Sequence, residues 1–219
     1  IGKTFIKKAV SQGVDHETAE VIFSYIQGYA GYGFCEAHAA AFADTAYRTA
    51  YLLEHYPAHF YAELLNCQPM GFYPPNTLCV QARNRGIAIL PLHINKSNEK
   101  FKATDTSIRI GLSQVKGMET PFITSILEAR KEKEFCSVQD FVYRTNVNKD
   151  VTENLILGGA FDCFSDNRRA LIWELPKNYQ SKQGSLFLET PHCDKSLADF
   201  STFDRWIKEY SVLHLTAQK

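Results

Sequence analysis

Apolar positions return every three or four residues over the first third of the chain. Ala19, Ile22, Phe23 and Ile26 form such a stripe behind Asp15, which predicts an amphipathic helix with that aspartate as its N-cap. Glycines 28, 31 and 33 are expected to break this helix. A second helix is predicted from Glu36 to His55, with Phe42, Ala46, Thr49, Ala50 and Leu53 along one face. Pro57 ends it and, lacking an N–H, suits the first position of the next helix, "PAHFYAELLN". After the turn-rich "QPMGFYPP", the stretch "NTLCVQARNRG" reads as a helix closed by Gly86.

Beyond Gly86 the pattern changes. "IAIL" at 87–90 and "IRIGL" at 108–112 read as short strands, and the polar "HINKSNEKFKATDTS" between them reads as a loop. "SQVKGMETPFITSILEARKEK" is a helix signal interrupted at Lys116-Gly117, and Ser137 is placed to cap "SVQDFVYRT". "KDVTENLILGGAFDCFSDNRRALIWEL" predicts two helical stretches around Gly158-Gly159. After Pro176 the chain turns Gln/Ser/Gly-rich and loses periodicity until residues 199–210. The pattern predicts a mainly α fold with a few short strands, a boundary near Gly86 and a linker from Lys177.

Composition narrows the class. The chain has 219 residues, 45% hydrophobic, enough for a real core. Its net charge is zero, so no global field favours a polyanion. The charges are uneven: four Lys/Arg face seven Asp/Glu over residues 1–66, and fifteen face twelve over residues 67–180. That surplus is a hint of phosphate contact in the middle of the chain, and an ordinary fluctuation also produces it. None of the six cysteines forms a C-x-x-C pair or a zinc spacing, which reads as single buried thiols in a reducing cytoplasm. No signal-peptide pattern and no apolar run near 18 residues occurs, so no membrane partner is expected. The chain opens at Ile1 in mid-pattern, as a segment of a longer protein does.

Three motifs carry candidate chemistry. In "VKGMETPFITSILEAR" and "LILGGAFD", glycine sits in a tight turn between helical stretches. Glycine there permits a positive φ and leaves nearby backbone N–H groups uncovered, which suits a phosphate oxygen. Lys116 stands at the first turn, Arg168 and Arg169 after the second. Two such turns grip a nucleic-acid backbone, or they merely connect packed helices. The second motif, "QGSLF" at 183–187, puts Leu186 and Phe187 in a polar linker; they dock in a partner's pocket or fold back on their own domain. The third is "GYGFCEAHAAAF" at 31–42. Its glycines fit neither G-x-G-x-x-G after a strand nor a P-loop, and its lone His38 has no evident nucleophile beside it. Two-metal phosphoryl transfer needs paired acids, yet the chain has no D-x-D, and its one E-x-E, Glu132–Glu134, lies in a charged helix end. No catalytic or metal-binding residue is therefore assigned.

Taken together, the segments resemble one family. "YAGYGFCEAHAAAFADTAYRTAYLLEHYPAHFYAELLN" resembles the fingers of the bacterial DNA polymerase III alpha subunit, a C-family polymerase. Members show a Phe-Ala-Gly-Tyr-Gly-Phe-Asn-Lys-Ser-His-Ala pattern and a Tyr-Leu-Lys-x-x-Tyr-Pro helix end. "ILPLHINKS", "IRIGLSQVKGM" and "LILGGAFDCFSDNRR" continue the match in the family's order and resemble its helix-hairpin-helix region. "QGSLF" falls where the family has its clamp-binding pentapeptide, and "EYSVLHLT" is similar to the lead-in to its next, nucleic-acid-binding domain.

The resemblance implies a division of roles. Residues 1–86 correspond to the C-terminal part of the fingers, 87–176 to a tandem helix-hairpin-helix domain, and 177–219 to a tethering linker. In the fingers, Tyr32, Gly33 and Phe34 pack at the base of a helix from which His38 and Arg48 face the incoming nucleotide. Duplex DNA is held by Lys116, Gly117 and Met118 at one hairpin and by Gly158, Gly159, Asn167, Arg168 and Arg169 at the other. Gln183, Ser185, Leu186 and Phe187 bind the sliding clamp, and other polymerase III holoenzyme subunits are partners. The parent polymerase uses magnesium at palm aspartates upstream; this segment carries no cofactor and is inactive alone.

The sequence departs from the replicative pattern at Cys35-Glu36-Ala37, which replaces Asn-Lys-Ser, and at Leu53, which replaces a lysine. Arg48 is then the remaining Lys/Arg side chain on that helix. Glu36 and "NCQPMGFYPPNTL" are similar to the error-prone branch of the family; a divergent replicative relative stays open. Two rival readings remain: a stand-alone helix-hairpin-helix scaffold, and an enzyme using Cys35 and His38.

Overall fold

The computed structural model describes residues 1–32, 35–182 and 197–217, and they form a mainly helical fold with one small mixed sheet. Two compact units divide the chain, residues 1–52 and 53–219.

The first unit holds α1 (Gly2–Ser11), α2 (His16–Tyr32) and most of α3 (Glu36–His55). Asp15 caps α2 as its sequence implies, its Oδ2 accepting the Thr18 N–H at 3.2 Å. The Phe5 and Phe23 rings, 5.6 Å apart, join α1 to α2. Gly28 and Gly31 do not break α2, which runs through both. Glycine costs about 1 kcal/mol against alanine within a helix but still donates its N–H, so the ladder survives it. Most of the predicted inward face of α3 is uncovered: none of its residues is buried and Phe42 is 63% exposed, while Leu53 at its C-terminal end is half-buried against the core.

The second unit is built on α4 (Pro57–Asn66) and α5 (Pro75–Asn84), which pack together beside the sheet. Pro57 stands in the first turn of α4, and Gly86 takes φ +81° after α5. Strands β1 (Ala88–Leu90), β2 (Lys102–Ala103) and β3 (Ser107–Arg109) are ordered β1-β3-β2. β1 runs parallel to β3 and β2 antiparallel to it. Strand β2 lies where a loop is predicted. The Asn66 side chain brackets it from α4, accepting the Phe101 N–H at 2.8 Å and donating to the Phe101 carbonyl at 3.1 Å.

A 3-10 turn (Leu112–Gln114) leads into α6 (Thr120–Glu132), α7 (Val138–Arg144), α8 (Lys149–Leu157), α9 (Arg168–Lys182) and α10 (Thr202–Leu213). Ser137 caps α7, accepting the Asp140 N–H at 3.0 Å. A run of aromatic contacts, Phe135–Phe141–Phe161–Phe164, threads the helical core at centroid spacings of 5.2, 5.1 and 6.1 Å. The expected linker does not begin at Lys177, because α9 continues through Pro176 to Lys182. Leu175 is fully buried, the Tyr179 hydroxyl donates to the Val147 carbonyl, and Lys182 Nζ donates to the Thr145 carbonyl. Those tertiary bonds outweigh the one helical N–H that proline removes. The cysteines also differ from expectation. Cys79 alone among the described ones is buried, with burial pushing its thiol up to about 11, while Cys35, Cys67, Cys136 and Cys163 are exposed.

Candidate nucleic-acid interface

The two glycine turns lie in the same unit but differ in what they present. At the first, Val115 is buried, Lys116 and Gly117 are exposed, and Met118 is half-buried against the core. Gly117 takes φ +78°, a left-handed conformation that disfavours a side chain. Its conformation turns the chain from the 3-10 helix into α6, whose N-cap Glu119 makes no side-chain cap bond. No acceptor among the described residues meets the Gly117 N–H.

This bend is rigidly seated. The Lys116 N–H donates to the Val212 carbonyl at 2.9 Å, and the Lys116 carbonyl accepts Asn154 Nδ2 at 2.9 Å. Gln114 Nε2 donates to the Leu213 carbonyl at 2.7 Å. Side chains and carbonyls of α8 and α10 thus fix the peptide on which Lys116 and Gly117 stand. Sequence reasoning missed Gln114, Asn154, Val212 and Leu213. Their bonds to this bend cross 38 to 99 residues and leave no periodic signal.

The second turn is closed. Gly158, Gly159 and Ala160 are buried, and their N–H groups donate to the carbonyls of Asn154, Ile156 and Leu155. Gly159 takes φ +83°, and a Cβ there would overlap Arg168 Nη2. Arg168 is itself buried. Its Nε and Nη2 donate to the two Asp162 carboxylate oxygens at 2.8 and 2.6 Å, and Nη1 donates to the Leu157 carbonyl at 2.8 Å. Nη1 also lies 3.6 Å from Glu209 Oε2. Burial works against the Arg168 charge, but the bonds and charge of Asp162 and the charge of Glu209 more than restore it. Burial pushes the Glu209 carboxyl above its ordinary range, and the Ala217 N–H and Arg168 pull it only part of the way back. In this arrangement Gly158, Gly159 and Arg168 hold the turn together from inside and present nothing to a phosphate.

Asn167 is likewise occupied: Oδ1 accepts the Ala170 N–H at 2.9 Å, and Nδ2 donates to the Leu197 carbonyl at 2.6 Å. Arg169 is the exposed cation of this turn, its guanidinium 6.0 Å from the Phe200 ring centre.

The remaining predicted residues are dispersed. His38 lies against Phe42 on exposed α3, ring centres 4.5 Å apart, and Arg48 pairs with Asp44 at 2.9 Å. Gly33, Phe34, the side chain of Tyr32, and the clamp residues Gln183, Ser185, Leu186 and Phe187 lie outside the described residues. Among the described residues, no three His, Cys, Asp or Glu side chains gather to hold a metal, and no helix is long and apolar enough to cross a membrane.

Comparison with known proteins adds a frame. Residues 86–171, which include both turns, match the family model of the helix-hairpin-helix motif. An error-prone DNA polymerase of Symbiobacterium thermophilum is 42% identical over 98% of the chain and 24% of its own length. One from Bdellovibrio bacteriovorus is 38% identical over 80% of the chain and 17% of its own. A DNA polymerase III subunit alpha of Chlamydia pneumoniae is 39% identical over 81% of the chain and 15% of its own. The chain spans about a quarter or less of the length of these curated relatives.

Proposed function

The chain is homologous, over nearly its whole length, to one segment of the bacterial C-family DNA polymerases, and on that premise we propose that it holds duplex DNA by its backbone behind a polymerase active site. The observation that carries this reading is the exposed bend at Lys116–Gly117: an uncommitted amide, a lysine and the start of α6 together on a seated loop. Amides at a helix start favour an anion, and they read the backbone without reading bases. Met118 anchors the bend, and Arg169 is the exposed cation beside the second glycine turn.

The finer roles belong to the same proposal. Residues 1–86 form the end of the fingers, with Tyr32, Gly33, Phe34, His38 and Arg48 toward the incoming dNTP. Residues 87–176 hold the duplex, and 177–219 tether the sliding clamp through Gln183, Ser185, Leu186 and Phe187. This is a division of roles, since α4 and α5 share their core with the helices that follow. Template-directed DNA synthesis belongs to the longer polymerase, with further holoenzyme subunits as partners. Magnesium finds no fitting set of ligands among the described residues, so no catalytic step is drawn through it.

The test is fluorescence anisotropy of labelled duplex DNA with the 219-residue chain across a salt series. Affinity is expected to fall with salt, and Lys116→Gln to reduce the slope by about 0.9 log unit per log unit of salt. Binding that ignores salt, or a slope unchanged by Lys116→Gln, rules the reading out.

A further inference from the structure

Arg168 and Glu209 form a buried ion pair, flanked by the half-buried Asp162, that the phosphate-binding reading does not use. The cluster joins three pieces of chain. Asp162 and the Leu157 carbonyl belong to the second turn, Glu209 to the middle of α10, and Glu209 Oε1 accepts the Ala217 N–H at 2.7 Å. Three and four residues beyond Glu209, the Val212 and Leu213 carbonyls receive the Lys116 N–H and the Gln114 side chain. Leu213 also packs on the second turn, its Cδ2 3.4 Å from where a Cβ on Gly158 would stand.

We infer that Arg168 and Glu209 are positioning residues, a buried ion pair that seats α10 so that its last carbonyls fix the DNA-facing bend at Lys116–Gly117. The inference deepens the duplex-holding reading and rests on it for its purpose. Its geometry stands independently. Desolvation offsets most of the attraction in such a pair, so its main effect is to select one arrangement of groups. Asp162 fixes the guanidinium plane with two parallel bonds, and Nη1 is thereby directed at both Leu157 and Glu209. Gly159 is required because a side chain there would occupy the guanidinium's place. The two hairpins then play different parts. The first meets the ligand, and the second, through α10, holds the first in shape.

The sign of the charge separates this from direct contact. Glu209→Gln keeps the size and the acceptor for Ala217 but weakens the pull on Arg168. If α10 seats the bend, hydrogen exchange at the Lys116 amide, measured without DNA, should accelerate by about fivefold or more. Duplex affinity should fall several-fold in the same variant, although a negative charge has been removed. Arg168→Met should do the same without lowering the salt slope by the ~0.9 of a lost phosphate contact. A control, Leu65→Ala in α4, should lower the melting temperature while leaving Lys116 no faster than neighbouring core amides.

The inference is overturned if Glu209→Gln leaves Lys116 exchange unchanged, or if the control accelerates it equally. It is also overturned if Glu209→Gln tightens DNA binding while Arg168→Met flattens the slope, since Arg168 would then be a phosphate contact. A wild-type chain that binds no duplex refutes the duplex-holding reading alone, because the exchange arm uses no DNA.

Discussion

The main-chain N–H of Lys116 donates to the carbonyl of Val212 at 2.9 Å, across almost half the chain. An exposed loop is thus held from behind by the last turn of a helix that follows it by more than eighty residues. Loops positioned by a rigid scaffold are where binding residues concentrate. Here the scaffold reaches the peptide group itself, so Lys116 and Gly117 keep their place before any ligand arrives.

Glu119 stands exposed at the same bend and balances the charge of Lys116. On the proposed reading, phosphate binding there would rest on amide donors more than on net charge. Glu119→Gln should therefore tighten duplex binding, most clearly at low salt where charges are least screened. Anisotropy at two salt concentrations checks it, and equal affinity at both would show that the carboxylate lies away from the DNA.

Gly159→Ala should destabilise the second unit by about 1–3 kcal/mol, the cost of a side chain in a left-handed conformation. The overlap with Arg168 adds to that. Urea unfolding followed by circular dichroism gives the value. Gly28→Ala is the contrast: its Cβ meets open space inside α2, so the variant should be neutral or stabilising.

Acid stability has a local source at α7. Burial raises the Asp140 carboxyl, but the Cys136 N–H and the Arg144 bonds outweigh it and hold the group below its ordinary 3.8. A depressed carboxylate contributes stability that is present above 3.8 and lost as pH falls through its folded value. Asp140→Asn should lower the melting temperature at pH 7 and flatten the decline below about pH 4. A thermal series from pH 2 to 7 decides it; an unaltered acid limb would place the titrating group elsewhere.

The clamp-binding proposal rests on sequence alone and has its own test. Leu186→Ala combined with Phe187→Ala should abolish capture of the chain by purified sliding clamp in a pull-down. Undiminished capture would remove that role from residues 183–187.

Much of the fold was legible because local chemistry agreed with the final packing. Glu36, His55 and Pro57 mark helix ends that the structure reproduces, and the caps at Asp15 and Ser137 are made as their residue types suggest. The errors fall where distant contacts override local preference. Pro176 and Gly28 read as breaks, yet the helices pass through them, α9 held by Tyr179 and Lys182 reaching to 147 and 145. Strand β2 depends on Asn66, thirty-five residues earlier.

Within the candidate site the first bend was visible in "VKGM", because glycine beside lysine before a helix carries its own physical reason. The closure of the second was not. Asp162 stands six residues before Arg168 and is at least close enough in sequence to suggest a pair; nothing near Arg168 points to Glu209. A basic residue after a glycine turn serves a ligand or the protein, and only the acids around it decide which.

The dependence on α10 has a practical edge for anyone excising this region. A piece trimmed to residues 86–171 would keep both glycine turns and discard the carbonyls of Val212 and Leu213, stranding the Lys116 amide and the Gln114 side chain without acceptors. It would also cut away α4 and α5, which supply part of the core. The smallest portable unit therefore runs from about residue 53 to residue 217, roughly twice the length that motif boundaries suggest.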